Sequence, residues 1–122
     1  MKKQTQQLGQ DGEQAATDFL TQNGLAILAR NWRFGRAEID IIAQQADQTL
    51  VFVEVKTRSD NTFAAPQDAV SMKKQALTIK AAFAYMRDVG HEWKFRFDII
   101  AVIKKEENFY ITHLTDAFFP EI

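Results

Sequence analysis

The chain has no cysteine and only two histidines in 122 residues, and these scarcities exclude more than any motif does. Without thiols there is no disulfide framework, no thiolate zinc site and no cysteine nucleophile. His91 and His113 show no ligand spacing, so a histidine-rich metal centre is excluded as well. Any metal must then be held mainly by oxygen, which points to Mg²⁺ or Mn²⁺. An excess of charge of one sign is also missing. The formal net charge is −1, whereas phosphate binding usually leaves a surplus of Lys and Arg, so a nucleic-acid surface has to be a local patch on a near-neutral body. Met1 to Gln7 is polar and leads into no apolar signal core, and no apolar run approaches the length of a membrane span. The expectation is a cytoplasmic protein with no membrane contact.

What is present is the balance of a soluble globular protein, 46% hydrophobic and 25% charged, at a length that fits a single domain over 1–122. Residues 1–8 read as a flexible leader. From about Gly9 to Asn23 the pattern is helical, with Ala15, Ala16, Phe19 and Leu20 on one side and Gly24 as the stop. Three strands follow, Leu25 to Arg33, Ala37 to Ala43 and Leu50 to Thr57, joined by gaps short enough for hairpins at Phe34-Gly35-Arg36 and Gln44 to Thr49. A loop rich in Ser, Asp and Asn closes at Pro66, and a longer helix runs from about Ser71 to Arg87, ending before Gly90. Phe95 to Ile103 alternates as a strand, and Phe109 to Leu114 is its hairpin partner. Thr115 to Ile122 reads as a tail, with Phe118 and Phe119 covering a core edge. The order α-β-β-β-α-β-β predicts an α/β fold with a central mixed sheet flanked by helices.

The chemistry concentrates on the second and third strands, Ala37-Glu38-Ile39-Asp40-Ile41-Ile42 and Val51-Phe52-Val53-Glu54-Val55-Lys56-Thr57-Arg58. Strand period two places Glu38 and Asp40 on one face, and Glu54 and Lys56 on one face. A turn centred near Asp47 sets Asp40 opposite Glu54 and Glu38 opposite Lys56. Two carboxylates so placed, at about 4 Å and an effective dielectric near 20, repel by on the order of 4 kcal/mol. A fold keeps them there by protonating one or by setting a cation between them. Glu13 shares a helical stripe with Ala16 and Leu20 and can point inward at the same place. The set suits metal-assisted phosphodiester hydrolysis: Asp40 and Glu54 as ligands of Mg²⁺ or Mn²⁺, the Val55 carbonyl at a further position, and Lys56 orienting water or stabilising phosphate charge.

An acid on one strand followed by Glu54-Val55-Lys56 on the next resembles the core of the PD-(D/E)xK nuclease superfamily, and the helix-borne Glu13 resembles that of archaeal Holliday junction resolvases. More closely, the chain resembles the YraN-like family of uncharacterised bacterial proteins. The matching stretches are Gly12-Glu13 with Ala16 and Leu20, Arg30-Asn31, Glu38-Ile39-Asp40, Phe52 to Arg58, Ala69-Val70, Lys74-Gln75 and Arg96-Phe97-Asp98. Ala37 departs from the Gly expected before Glu38. The resemblance implies a restriction-endonuclease-like αβββαβ core, metal binding through Asp40, Glu54, Val55 and Glu13, DNA as partner and a homodimer.

Simpler readings stand beside these. Glu38 and Lys56 form an ordinary cross-strand ion pair if the charges are exposed, but the surrounding Val51, Val53, Val55 and Phe52 favour a partly buried site. Lys74, between Val70 and Leu77, either snorkels past the core or reaches a phosphate. Arg30 to Arg36 interleaves cations with Trp32 and Phe34, either as a nucleic-acid loop presenting Arg33 and Arg36 or as a hairpin with Trp32 packed inward; the packed hairpin is preferred. Arg58 is a further candidate for phosphate contact. Arg96 and Asp98 share a strand face and pair with each other. Three functions follow: a metal-dependent DNA endonuclease, a nucleic-acid-binding or assembly module that keeps the fold without turnover, and a purely structural partner protein.

Overall fold

A computed structural model describes residues 2–59 and 70–120. The loop expected at Pro66, Ala69 of the Ala69-Val70 pair and the last two residues lie outside the described residues. The elements are α1 (Lys2–Gln22), β1 (Ala26–Phe34), β2 (Ala37–Gln44), β3 (Leu50–Arg58), α2 (Met72–Val89), β4 (Phe95–Lys105) and β5 (Asn108–Phe118). They build one five-stranded sheet in sequential order, antiparallel except between β3 and β4, which are parallel and joined by way of α2. This is the expected αβββαβ core with a mixed sheet flanked by helices. Two boundaries differ from expectation. α1 takes in Lys2–Leu8, set apart above as a leader, and β5 continues to Phe118 instead of ending at Leu114. Phe118 does cover a core edge, but Phe119 is two-thirds exposed. Among the described residues no helix is long and apolar enough to cross a membrane.

Each helix covers one face of the sheet. α1 buries Ala16 and Leu20 against Ile41, Ala43, Val51, Val53, Val55, Ile100 and Val102. α2 packs Ala81, Ala82 and Met86 with Ile39, Ile42, Leu50, Phe52, Phe97 and Ile99 on the other face. Because β3 is covered on both sides, Leu50 through Val55 are all buried, and a strand in that position needs a continuous apolar run, not an alternating one. Ser71 caps α2 by accepting a hydrogen bond from the Lys74 N–H, and Gly90 ends it at φ 70°, a left-handed conformation that glycine adopts without strain.

Gly12 sets the distance between α1 and the sheet. A Cβ there would overlap the side chain of Thr57 on β3, and Thr57 is too short and branched to swing away. Gly12→Ala is therefore expected to cost about 1–3 kcal/mol, read as a fall in melting temperature, and Gly12→Ala combined with Thr57→Ala should recover most of it. An unchanged melting temperature in the single variant would show that α1 is not seated this closely.

Candidate active site

β2 does not keep strict alternation. Ile39 packs on the α2 side and Ile41 on the α1 side, so the strand turns over at Asp40. The neighbouring strand matches this break. Arg30 pairs with Ile41 and Trp32 with Ile39, while Asn31, which falls between them opposite Asp40, adopts φ 53°. Strict period two therefore does not run through Asp40, yet Glu38 and Asp40 both lie close enough to Glu13 to raise its carboxyl. The β2–β3 pairing has the expected centre, with Gln44 opposite Leu50, but the ladder ends at Ile41–Val53. One residue further, Asp40 Oδ2 accepts the Val55 N–H at 2.8 Å, so a side chain supplies the acceptor that a main-chain rung would otherwise provide.

That arrangement brings Asp40 and Glu54 together where the β2–β3 ladder ends, about half-way along each strand. Asp40 is 9% exposed and Glu54 3%. Glu54 Oε1 lies 3.5 Å from Lys74 Nζ, whereas its Oε2 is buried with no hydrogen-bond donor. Burial raises the Asp40 carboxyl above its ordinary value, against the opposing Val55 N–H and the Lys74 charge. Burial also lifts Glu54, followed by the negative charge of Asp40; Lys74 and Lys56 oppose this only in part, and the result is about 8. Glu13 is raised by burial and then by Asp40, with Arg30 and the Asn31 amide opposing. The three acids line one cleft of about 300 Å³ with Val55, Lys56, Thr57, Arg58, Leu8 and Gly9. A larger hollow of about 410 Å³ lies between the end of α2 and β4, but no buried carboxylate lines it.

The protonated state of Glu54 has a measurable consequence. Its folded pKa lies above its unfolded value near 4.5, so its contribution to stability is complete below that value and is lost as pH rises through about 8. Metal-free protein is expected to lose stability between these limits, by an amount that Glu54→Gln largely removes. Denaturant melts at pH 5, 7 and 9 check this, and parallel curves for the two proteins would refute it. Asp98 acts at the other end. Burial alone would raise it, but hydrogen bonds from His113, Arg96 and the Asp116 N–H hold it below the ordinary carboxylate range.

The residues singled out in the sequence divide as follows. Asp40, Glu54, Lys56, Glu13, Val55 and Arg58 meet in the cleft. Lys74 reaches Glu54 from the first turn of α2, so it is Lys74, not Lys56, that makes the ion pair with this acid. The Glu38–Lys56 pair does not form; Glu38 Oε2 lies 2.7 Å from Arg33 Nη2 on β1. Arg36 is exposed in the β1–β2 turn, and Trp32 packs inward against Tyr85, as the packed hairpin required. Arg96 pairs with Asp98 at 3.0 Å, as expected. Two participants went unnoticed. His113 Nε2 lies 2.7 Å from Asp98 Oδ2, and the Asn31 amide nitrogen donates to both Glu13 Oε1 and Glu38 Oε1 at 3.1 Å. A polar residue opposite Asp40 in the hairpin register was the available signal for Asn31.

Residues 12–102 match the model of the uncharacterised protein family UPF0102. The chain belongs to that family. It is 46% identical over 116 residues to a UPF0102 protein of Bacteroides thetaiotaomicron, covering 95% of each chain. It is 47% identical over 112 residues to UPF0102 protein FP2501 of Flavobacterium psychrophilum, covering 92% of this chain and 93% of that one. Among solved structures, the EndoMS–dsDNA2 complex is similar with a TM-score of 0.44 and 18% identity, covering 70% of this chain and 34% of that chain. UPF0102 is the family that the Glu38-Ile39-Asp40 and Phe52 to Arg58 stretches resemble, and both stretches lie inside the matched region.

A divalent cation fits the donor set. A buried Glu54 Oε2 without a donor beside a second carboxylate is an environment that a hard cation satisfies, in place of the proton that Glu54 otherwise holds. Among the described residues no three acidic or imidazole side chains gather closely enough to enclose an ion unaided. An ion held by Asp40 and Glu54 would complete its shell with the Val55 carbonyl, water or a substrate oxygen, which is the open coordination of a catalytic site.

Proposed function

We propose that this chain is a Mg²⁺- or Mn²⁺-dependent endonuclease that hydrolyses phosphodiester bonds in DNA. The observation that carries the proposal is the pairing of Asp40 with Glu54 in a walled cleft, one carboxylate oxygen lacking any donor, with lysines as the cations nearest to it. Asp40 and Glu54 hold the metal, and Glu13 adds negative charge from α1. The bound ion supplies Lewis-acid polarisation of the phosphoryl oxygen and a lowered pKa for water. Lys56, in the same cleft, neutralises charge building on the phosphate and orients the attacking water. Arg58 at the rim, and Arg33 and Arg36 on the β1–β2 hairpin, supply backbone contacts to the nucleic acid. Without the ion, the acids would repel the phosphate they serve.

The near-neutral charge favours a second reading, a nucleic-acid-binding or assembly module that keeps this fold without turnover. Incubating the protein with labelled junction, flap and single-stranded DNA, with Mn²⁺ or with chelator, decides between the two. Cleavage with Mn²⁺ alone supports the enzyme. Binding without cleavage of any of the three supports the module.

A further inference from the structure

Lys74 reaches Glu54 from α2, an element that carries neither of the paired acids. It sits in the first turn of α2, where its N–H is fixed by the Ser71 cap and its carbonyl accepts the hydroxyl of the buried Thr78. From that fixed base its side chain, 36% exposed, places the ammonium 3.5 Å from Glu54 Oε1. A lysine on the exposed face of a helix would extend into water; this one runs along the sheet to a carboxylate that is almost wholly buried. Its stem is flexible and more than a third of the side chain is open to solvent, so the ammonium can turn outward.

We infer that Lys74 is an exchangeable counter-ion: it stands beside Glu54 while the cleft lacks metal, and moves to a DNA phosphate when a divalent ion takes its place. The inference rests on the metal-site reading above and adds a role for α2 to it. The physical reason is charge. A doubly charged ion next to Glu54 repels an ammonium 3.5 Å from the same carboxylate, and this holds whether the ion displaces a proton or meets an ionised acid, since positive charge increases in both cases. The displaced ammonium loses its partner at the moment a phosphodiester approaches the ion, and that phosphate is the nearest new anion. Loading of metal and capture of DNA are thereby coupled through one side chain.

The test compares wild type, Lys74→Gln and Lys74→Arg. Mn²⁺ binding is measured by calorimetry at pH 7.5, and duplex DNA binding is measured with Ca²⁺ at several salt concentrations. Lys74→Gln should bind Mn²⁺ roughly three- to tenfold more tightly, because the competing cation is gone. The same variant should bind DNA about fivefold more weakly in Ca²⁺, with a salt dependence shallower by about one released counter-ion. Lys74→Arg keeps the charge and should resemble wild type in both measurements. Mn²⁺ binding that is unchanged or weaker in Lys74→Gln overturns the exchange, and so does an unchanged salt slope, since a merely structural lysine would leave both alone. If wild type binds no Mn²⁺, the metal-site reading fails and the exchange fails with it. Tight Mn²⁺ binding by wild type without the Lys74→Gln effect removes the exchange alone.

Discussion

In the absence of metal, Asp40→Asn should melt at a higher temperature than wild type. The amide oxygen of asparagine can still accept the Val55 N–H that Asp40 Oδ2 accepts at 2.8 Å, so the anchoring of β2 to β3 survives. What disappears is one of two buried negative charges. The gain should be about 1–2 kcal/mol and should depend on pH. At pH 6 Glu54 holds its proton and little repulsion remains to be relieved, whereas at pH 9 Glu54 has lost that proton beside Asp40 and the difference is widest. Mn²⁺ at a hundredfold excess over its dissociation constant should stabilise the wild type by about 2.7 kcal/mol and the variant by much less. Thermal melts at pH 6 and 9, with a Mn²⁺ series at pH 7.5, supply all of these comparisons. A variant that is less stable at both pH values, or that Mn²⁺ stabilises as strongly as wild type, would leave the two carboxylates as an ordinary polar network.

Glu54→Ala should reduce Mn²⁺-dependent DNA cleavage by about a thousandfold or more, and Lys56→Ala by about a hundredfold. The two losses differ in kind. Removing Glu54 takes away a ligand, so higher Mn²⁺ should recover some activity. Removing Lys56 takes away charge stabilisation at the phosphate, which added metal does not replace. Glu54 is buried, so truncating it opens a cavity; Glu54→Gln keeps the volume, and its melting curve separates loss of ligation from loss of fold. Equal cleavage by all three variants and wild type would assign any activity to a contaminant or to a different site.

The positions of these groups were legible in the sequence to very different degrees. The continuous apolar run of β3 and the short gap after β2 fix a hairpin whose centre lies near Asp47, and from that alone Asp40 falls opposite Glu54. The reversal of β2 at Asp40 was not legible, because it depends on a left-handed Asn31 on the adjacent strand, and backbone dihedrals of that kind leave little trace in composition. The partner of Glu54 was missed for another reason. Lys74 reads in the sequence as snorkelling or as a phosphate contact, and it arrives at Glu54 by way of the crossover to α2. Pairing of strands can be guessed from turn length; the landing point of a crossover helix cannot. The Asp98–His113 contact was hidden by the irregular register between Phe97 and Ile99, which shifts the partners of β4 along β5. His113 therefore looked unattached.

The hydrogen bond from Val55 to Asp40 gives the molecule a reporter of its own. Most interior amides of β3 answer to neighbouring strands and register only whether the sheet is intact. The Val55 amide answers to a carboxylate whose electron density changes whenever a proton or a cation arrives. Its nuclear resonance therefore senses occupancy of the cleft directly, from a spin already built into the chain.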